Sequence, residues 1–121
     1  MTKIMVVEDD KQASAFIAEL LAMEGYVPIV VNESTKALSM AEATLPDAFL
    51  LDLMMPDPDG FKICRMLRSN PNFIETPIII ITAMDDTDSR IVAIGAGAND
   101  YLVKPFHIED LAGKLSSLLG R

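Results

Sequence analysis

The tightest constraint on this chain is that its hydrophobic period switches five times between a short apolar run and a helical stripe. Residues 4–7 form the first run, and residues 11–24 then place Ala13, Phe16, Ile17, Leu20 and Leu21 on one helical face before Gly25. Residues 29–31 form a second run. Residues 34–43 follow with Ala37, Leu38 and Ala41 at helical spacing, and Asn32 or Ser34 is placed to cap them. The third pair covers residues 48–53 and 61–67, with Ile63, Cys64 and Leu67 facing inward and Lys62, Arg65 and Arg68 on the exposed face. Four β-branched residues, 78–81, make the fourth strand and lead through an acidic loop to a helix over 87–94 that Gly95 and Gly97 end. The fifth strand is 101–103, and Ile108, Leu111, Ala112, Leu115 and Leu118 line the inner face of the last helix. Gly113 weakens that helix by about 1 kcal/mol relative to alanine, so it relies on packing. Five such pairs predict an α/β fold: an open five-stranded parallel sheet, doubly wound as (βα)5, with right-handed crossovers. The strand order that suits five strands is 2-1-3-4-5.

In that order the ends of the first and third strands flank the topological switch point, where ligands bind. The polar residues fall there. Glu8 and Asp9 follow strand one, Asp52 ends strand three, Thr82 ends strand four and Lys104 ends strand five. Asp52 is the most telling, because residues 48–55 are otherwise apolar and an ionised carboxylate in such a setting needs a cation, donors or both. It is not placed to cap the next helix, since Pro56, Pro58 and Gly60 intervene.

Three carboxylates in one crevice repel one another unless a cation lies among them, and hard oxygen donors suit Mg²⁺. Magnesium accepts one or two carboxylates, keeps waters and completes its shell with substrate phosphate, so a phosphate ligand is expected. Lys104 supplies a compact positive charge and Thr82 a hydroxyl for the phosphoryl oxygens. The set suggests in-line attack by Asp52 and a covalent aspartyl phosphate, a transfer that needs positioning and neutralisation more than acid or base groups.

Composition narrows the partners. The formal charge is −8, from ten basic and eighteen acidic residues, so a nucleic acid backbone is repelled and no direct nucleic-acid binding is expected. No apolar run approaches the roughly 18 residues of a membrane span, and the acidic residues 8–10 exclude a secretory signal at the start. A cytoplasmic, membrane-free protein is expected. The single cysteine, Cys64, forms no intrachain disulfide and reads as a small buried side chain. With 121 residues there is room for one domain, residues 1–121, and no output domain.

Four motifs together, VVEDD at 6–10, LLDLMMPDPDG at 50–60, IIITA at 79–83 and GANDYLVKPF at 97–106, resemble the receiver domain of two-component response regulators. The likeness covers nearly the whole chain. It implies a flavodoxin-like sheet, a topology for which members of this family are a standard example. It further implies Asp52 as phosphoacceptor, Asp9 and Asp52 as direct Mg²⁺ ligands, Glu8 acting through water, and the main-chain carbonyl of Met54 as a further ligand. Thr82 and Lys104 would contact the phosphoryl oxygens, and the bond between Lys104 and Pro105 would be cis. The phosphoryl donor would be a sensor histidine kinase or a histidine phosphotransfer protein. Thr82 and Tyr101 would relay the change to the surface of helix four, strand five and helix five, and so to a downstream effector, a fused output domain or a phosphorylation-dependent homodimer. Such a chain is a switch rather than an enzyme, catalysing only its own phosphorylation and dephosphorylation.

The alternatives are weaker in the residues themselves. A phosphatase of the haloacid dehalogenase type needs a second aspartate where Met54 stands, and a flavodoxin needs hydroxyl and amide donors where Glu8, Asp9 and Asp10 would repel its phosphate. A receiver that docks partners constitutively, without phosphorylation, is the remaining alternative. Met54 and Met84 would flank the phosphoryl group, and neither thioether can orient water, so slow self-dephosphorylation is expected.

Overall fold

A computed structural model describes residues 1–120. The strands β1 (Lys3–Val7), β2 (Val27–Val31), β3 (Ala48–Leu51), β4 (Ile78–Thr82) and β5 (Asp100–Val103) alternate with α1 (Lys11–Met23), α2 (Ala37–Thr44), α3 (Gly60–Arg68), α4 (Thr87–Gly95) and α5 (Ile108–Leu119). All pairings are parallel and the order is β2-β1-β3-β4-β5. The fold is flavodoxin-like, as the alternating period predicts.

Because side chains alternate across a strand, each continuous apolar run divides by parity between two cores. Met5, Val7, Phe49, Leu51, Ile78 and Ile80 point to one face, where Ala41 of α2, Ile63, Cys64 and Leu67 of α3 and Ala93 of α4 cover them. Ile4, Val6, Leu50, Ile79, Ile81 and Leu102 point to the other, under Ile17 and Leu21 of α1 and Leu111 and Leu115 of α5. Phe73 closes the first core edge-on against Phe49, with ring centroids 5.4 Å apart. Cys64 is fully buried there and its thiol donates to the Ala96 carbonyl.

Three helices start on aspartate caps: Asp10 accepts from the Ala13 amide, Asp59 from Lys62 and Asp86 from Ser89. Two helices end in a Schellman arrangement. Gly25 (φ +87°) and Gly97 (φ +109°) supply the left-handed residue, and the amides of Tyr26 and Ala98 reach back to the Leu21 and Ala93 carbonyls. Helix α3 begins against the Asp52 backbone, and a Cβ on Gly60 would run into the Asp52 carbonyl. The glycine therefore lets α3 seat directly behind the end of β3.

Several expectations need correction. Residues 34–43 are not one helix: a 3-10 turn (Ser34–Lys36) precedes α2, and neither Asn32 nor Ser34 caps it. Asn32 instead donates to the Glu8 carbonyl and to the Ser14 hydroxyl, while Ser34 donates to the Pro56 carbonyl. Phe16, placed on the inner face of the first helix, is 59% exposed, because the buried stripe of α1 is Ser14, Ile17 and Leu21. Arg68 is not on a solvated face. Its guanidinium donates to the carbonyls of Phe73, Thr76 and Gly97 and to the Asn99 amide oxygen, tying the end of α3 to the turns before β4 and β5.

Candidate functional site

The carboxyl ends of β1, β3, β4 and β5 bring Glu8, Asp52, Thr82 and Lys104 to one edge of the sheet. Their main chains are locked into it. The Glu8 amide donates to the Val31 carbonyl, the Asp52 amide to Val7 and the Lys104 amide to Thr82. Glu8 is 3%, Asp52 9% and Thr82 0% exposed, so three polar side chains are buried at the end of an apolar sheet.

Lys104 joins two of them. Its Nζ lies 2.6 Å from Glu8 Oε1 and 3.1 Å from Asp52 Oδ2, across almost the whole length of the chain. The remaining oxygens are held by backbone donors: the Asp10 amide donates to Glu8 Oε2 at 3.0 Å and the Met54 amide to Asp52 Oδ1 at 3.0 Å. Every described buried side-chain nitrogen and oxygen is satisfied.

Two buried carboxyls share one ammonium, and their protonation divides accordingly. Burial, together with the hydrogen bond to Asp52, pushes Glu8 up to about 7 against the pull of Lys104. Burial acts to raise Asp52 as well, but hydrogen bonds from Glu8, the Met54 amide and Lys104 outweigh it and hold Asp52 below its ordinary value. The pair thus titrates with Glu8 as the partner that keeps the proton and Asp52 as the one that stays ionised. Burial alone would lower Lys104, yet its bonds to both carboxyls raise it, so the ammonium stays charged.

Asp9 is exposed and does not close with Glu8 and Asp52 into a three-carboxylate cluster: among the described residues no three acidic, histidine or cysteine side chains are gathered as a finished cation cage. The crevice holds a buried pair with an exposed neighbour. The donor set still suits a hard divalent cation, since carboxyl and carbonyl oxygens are the ligands that Mg²⁺ takes.

Thr82 Oγ1 accepts a long, 3.4 Å bond from the Met84 amide, a weak tether for a buried hydroxyl. Tyr101 is buried and donates its hydroxyl to the Met84 carbonyl at 2.7 Å, with the Arg90 guanidinium 4.8 Å from its ring centroid. Thr82 and Tyr101 therefore meet on the same short segment, one at the amide and the other at the carbonyl of Met84. The Met54 side chain is exposed beside Asp52 and Met84 is half-buried. The bonds Lys104-Pro105 and Asp57-Pro58 are both cis.

Sequence reasoning missed Asn32, which braces the Glu8 carbonyl from the loop after β2, and Gly60, which lets α3 approach Asp52. Gly60 stood in the motif as part of a turn; the close approach that requires it leaves no separate mark in sequence. The cap Asp10 could have been found from its place just before a helical stripe.

The chain matches the family described as Response regulator receiver domain over residues 4–116. It is 39% identical over 119 residues to the response regulator MprA of Mycobacterium ulcerans, an alignment covering 98% of this chain and 50% of that protein. The chain thus spans about half the length of the curated relatives it matches. Among solved structures it is similar to the receiver domain of the sensor histidine kinase PA1611 from Pseudomonas aeruginosa, which holds a magnesium ion in its active-site cleft. The TM-score is 0.91 at 33% identity, covering 99% of this chain and 98% of the other. The BeF3-activated receiver domain of RstA from Klebsiella pneumoniae superposes with a TM-score of 0.92 at 31% identity, over 99% and 100% of the two chains.

Proposed function

This chain belongs to the response regulator receiver domain family, and we propose that it is a switch thrown by phosphorylation of Asp52. The observation that carries the reading is the Lys104 ammonium bonded to both Asp52 and Glu8 at the end of the sheet. Asp52 stays ionised, so one of its oxygens can attack the phosphorus of a phosphorylated donor in line; the bond from phosphorus to the donor breaks and the donor leaves with that electron pair. A sensor histidine kinase or a histidine phosphotransfer protein is the proposed donor.

Lys104 keeps its charge and turns from the Asp52 carboxylate to the new phosphoryl oxygens, where a compact ammonium neutralises two or more of them. The Thr82 hydroxyl, held only by a 3.4 Å bond, rotates to donate to another. Asp9 and Asp52 would hold Mg²⁺ directly, with the Met54 carbonyl, and Glu8 through water. The ion would supply charge neutralisation of the phosphoryl group.

The consequence runs through Met84. When Thr82 turns away from its amide, the segment that also accepts the Tyr101 hydroxyl is free to shift, and the ring can move into the space vacated. Strand β5, α4 and α5 then present a changed surface to an effector or to an output domain.

Backbone-amide NMR with Mg²⁺ and beryllofluoride tests this. The reading expects shifts that spread from Asp52 to Met84 and Tyr101 in the wild type and are absent in Asp52→Asn. Shifts confined to Asp52 and its neighbours, with Met84 and Tyr101 unmoved, would remove the relay.

A further inference from the structure

Of the proposed Mg²⁺ ligands, Asp9 is the one whose side chain the fold leaves unheld. It is exposed, and among the described residues its carboxylate makes no hydrogen bond or ion pair. Its direction is therefore decided by the backbone, and the two peptide groups that flank its Cα are each anchored by one bond. The peptide before it is held at the Glu8 carbonyl, to which Asn32 Nδ2 donates at 2.8 Å. The peptide after it is held at the Asp10 amide, which donates to Glu8 Oε2 at 3.0 Å. Because peptide groups are planar, fixing both fixes the two soft dihedrals of the residue between them, and with them the direction of its Cβ.

The two anchors differ in independence. Glu8 Oε2 belongs to a carboxyl whose other oxygen lies 2.6 Å from Lys104 Nζ, so that anchor moves with the charges of the crevice. Asn32 carries no charge and lies in the loop after β2, which supplies none of the proposed ligands. Its amide nitrogen also donates to Ser14 Oγ at 2.8 Å, and Ser14, buried on α1, donates onward to the Lys11 carbonyl at 3.1 Å. The loop is itself tied on its far side, where Ser34 donates to the Pro56 carbonyl at 3.0 Å. Asn32 thus grips the Glu8 carbonyl from a held position.

We infer that Asn32 is a positioning residue: through the Glu8 carbonyl it holds the Asp9 carboxylate beside the buried pair and so sets the affinity for Mg²⁺. The inference rests on the switch reading for the place of the metal, and adds to it a residue outside the ligand set. Groups that orient a metal's ligands from behind typically change its affinity by about tenfold or more when removed. The plainer account is that Asn32 only ties α1 to the loop after β2. On that account, cutting either of its two bonds has the same consequence.

Calorimetric titration of Mg²⁺ alone separates the two accounts, with wild type, Asn32→Ala and Ser14→Ala at equal ionic strength. Ser14→Ala keeps the bond from Asn32 to Glu8 and should bind Mg²⁺ within about twofold of the wild type. Asn32→Ala should bind it about tenfold more weakly. Both variants remove a partly buried hydrogen bond and should lose stability in urea, so stability alone does not report the role. Phosphorylation by acetyl phosphate gives a second readout: Asn32→Ala should be slow at low Mg²⁺ and reach the wild-type rate at saturating Mg²⁺. Unchanged affinity in Asn32→Ala, an equal loss in Ser14→Ala, or a rate deficit that saturating Mg²⁺ does not repair would each overturn the inference and leave the switch reading standing. A wild type that binds no Mg²⁺ would overturn the metal-assisted reading, and the inference with it.

Discussion

At the scale of single residues, Glu8 and Asp52 differ in what burial does to each. Glu8 keeps its proton to about 7 in the folded chain, against 4.5 for the ordinary side chain. Between those values the folded state holds a proton that the unfolded chain has released, so Glu8 lowers stability as pH rises from about 4.5 through about 7. Asp52 has the opposite sign, being depressed below 3.8, and its contribution is lost only at lower pH. Urea denaturation of metal-free protein should therefore show stability falling across that upper window, and Glu8→Gln should flatten the fall; an equal slope in the variant would refute the assignment. Met54 belongs to this scale too. Its thioether stands exposed beside Asp52 and can neither donate to nor orient a water, so Met54→Asn should lose a phosphoryl group faster than the parent. Chemical-shift or mass decay after donor removal measures it, and equal or slower loss in the variant would contradict the prediction. Glu8, Asp52 and Lys104 were legible in sequence because each is a polar residue at the end of an apolar run. The partner of Tyr101 was not, since a backbone carbonyl can belong to any residue.

At the scale of elements, the five strands and five helices follow from period alone, but a period does not say which side chains touch. Five apolar residues of α1 could be grouped on one face, yet the buried stripe passes through Ser14, which is acceptable there because Asn32 donates to its hydroxyl. A polar residue made buriable by a partner eighteen positions away leaves no hydrophobic signal. Arg68 was misread for the same reason: its helix places it beside Arg65, but four acceptors from two separate turns draw it inward. Removing it takes the guanidinium from all four, and although Phe73 keeps the Thr76 amide and Asn99 the Ile78 amide, the Thr76 and Gly97 carbonyls lose their side-chain donor, so Arg68→Ala should cost about 2 kcal/mol or more in urea denaturation. A change under about 0.5 kcal/mol would mark it as an ordinary surface residue after all. The same clamp holds the turn that leads into β5, so amide exchange should quicken from residue 97 to residue 101 in the variant.

At the scale of the whole molecule, a doubly wound sheet collects side chains from positions 8 to 104 into one crevice and sets the covering helices on faces that the crevice can influence. The two cores are continuous with the site. Ile79 and Ile81 pack under α1 and α5, Ile78 and Ile80 under α2 to α4, and the same strand ends in Thr82. The fold and the grouping of site residues could be argued from sequence because strand ends in this topology converge whatever the intervening helices contain. The separation of Asp9 from the buried pair could not, because it depends on which carboxylate finds Lys104. The central claim is that Asp52 accepts a phosphoryl group with the help of Mg²⁺, and intact mass after incubation with acetyl phosphate tests it most directly. The account predicts a magnesium-dependent gain of one phosphoryl group in the wild type and none in Asp52→Asn. A wild type that gains nothing with magnesium present, or an Asp52→Asn variant that gains the same mass, would contradict it.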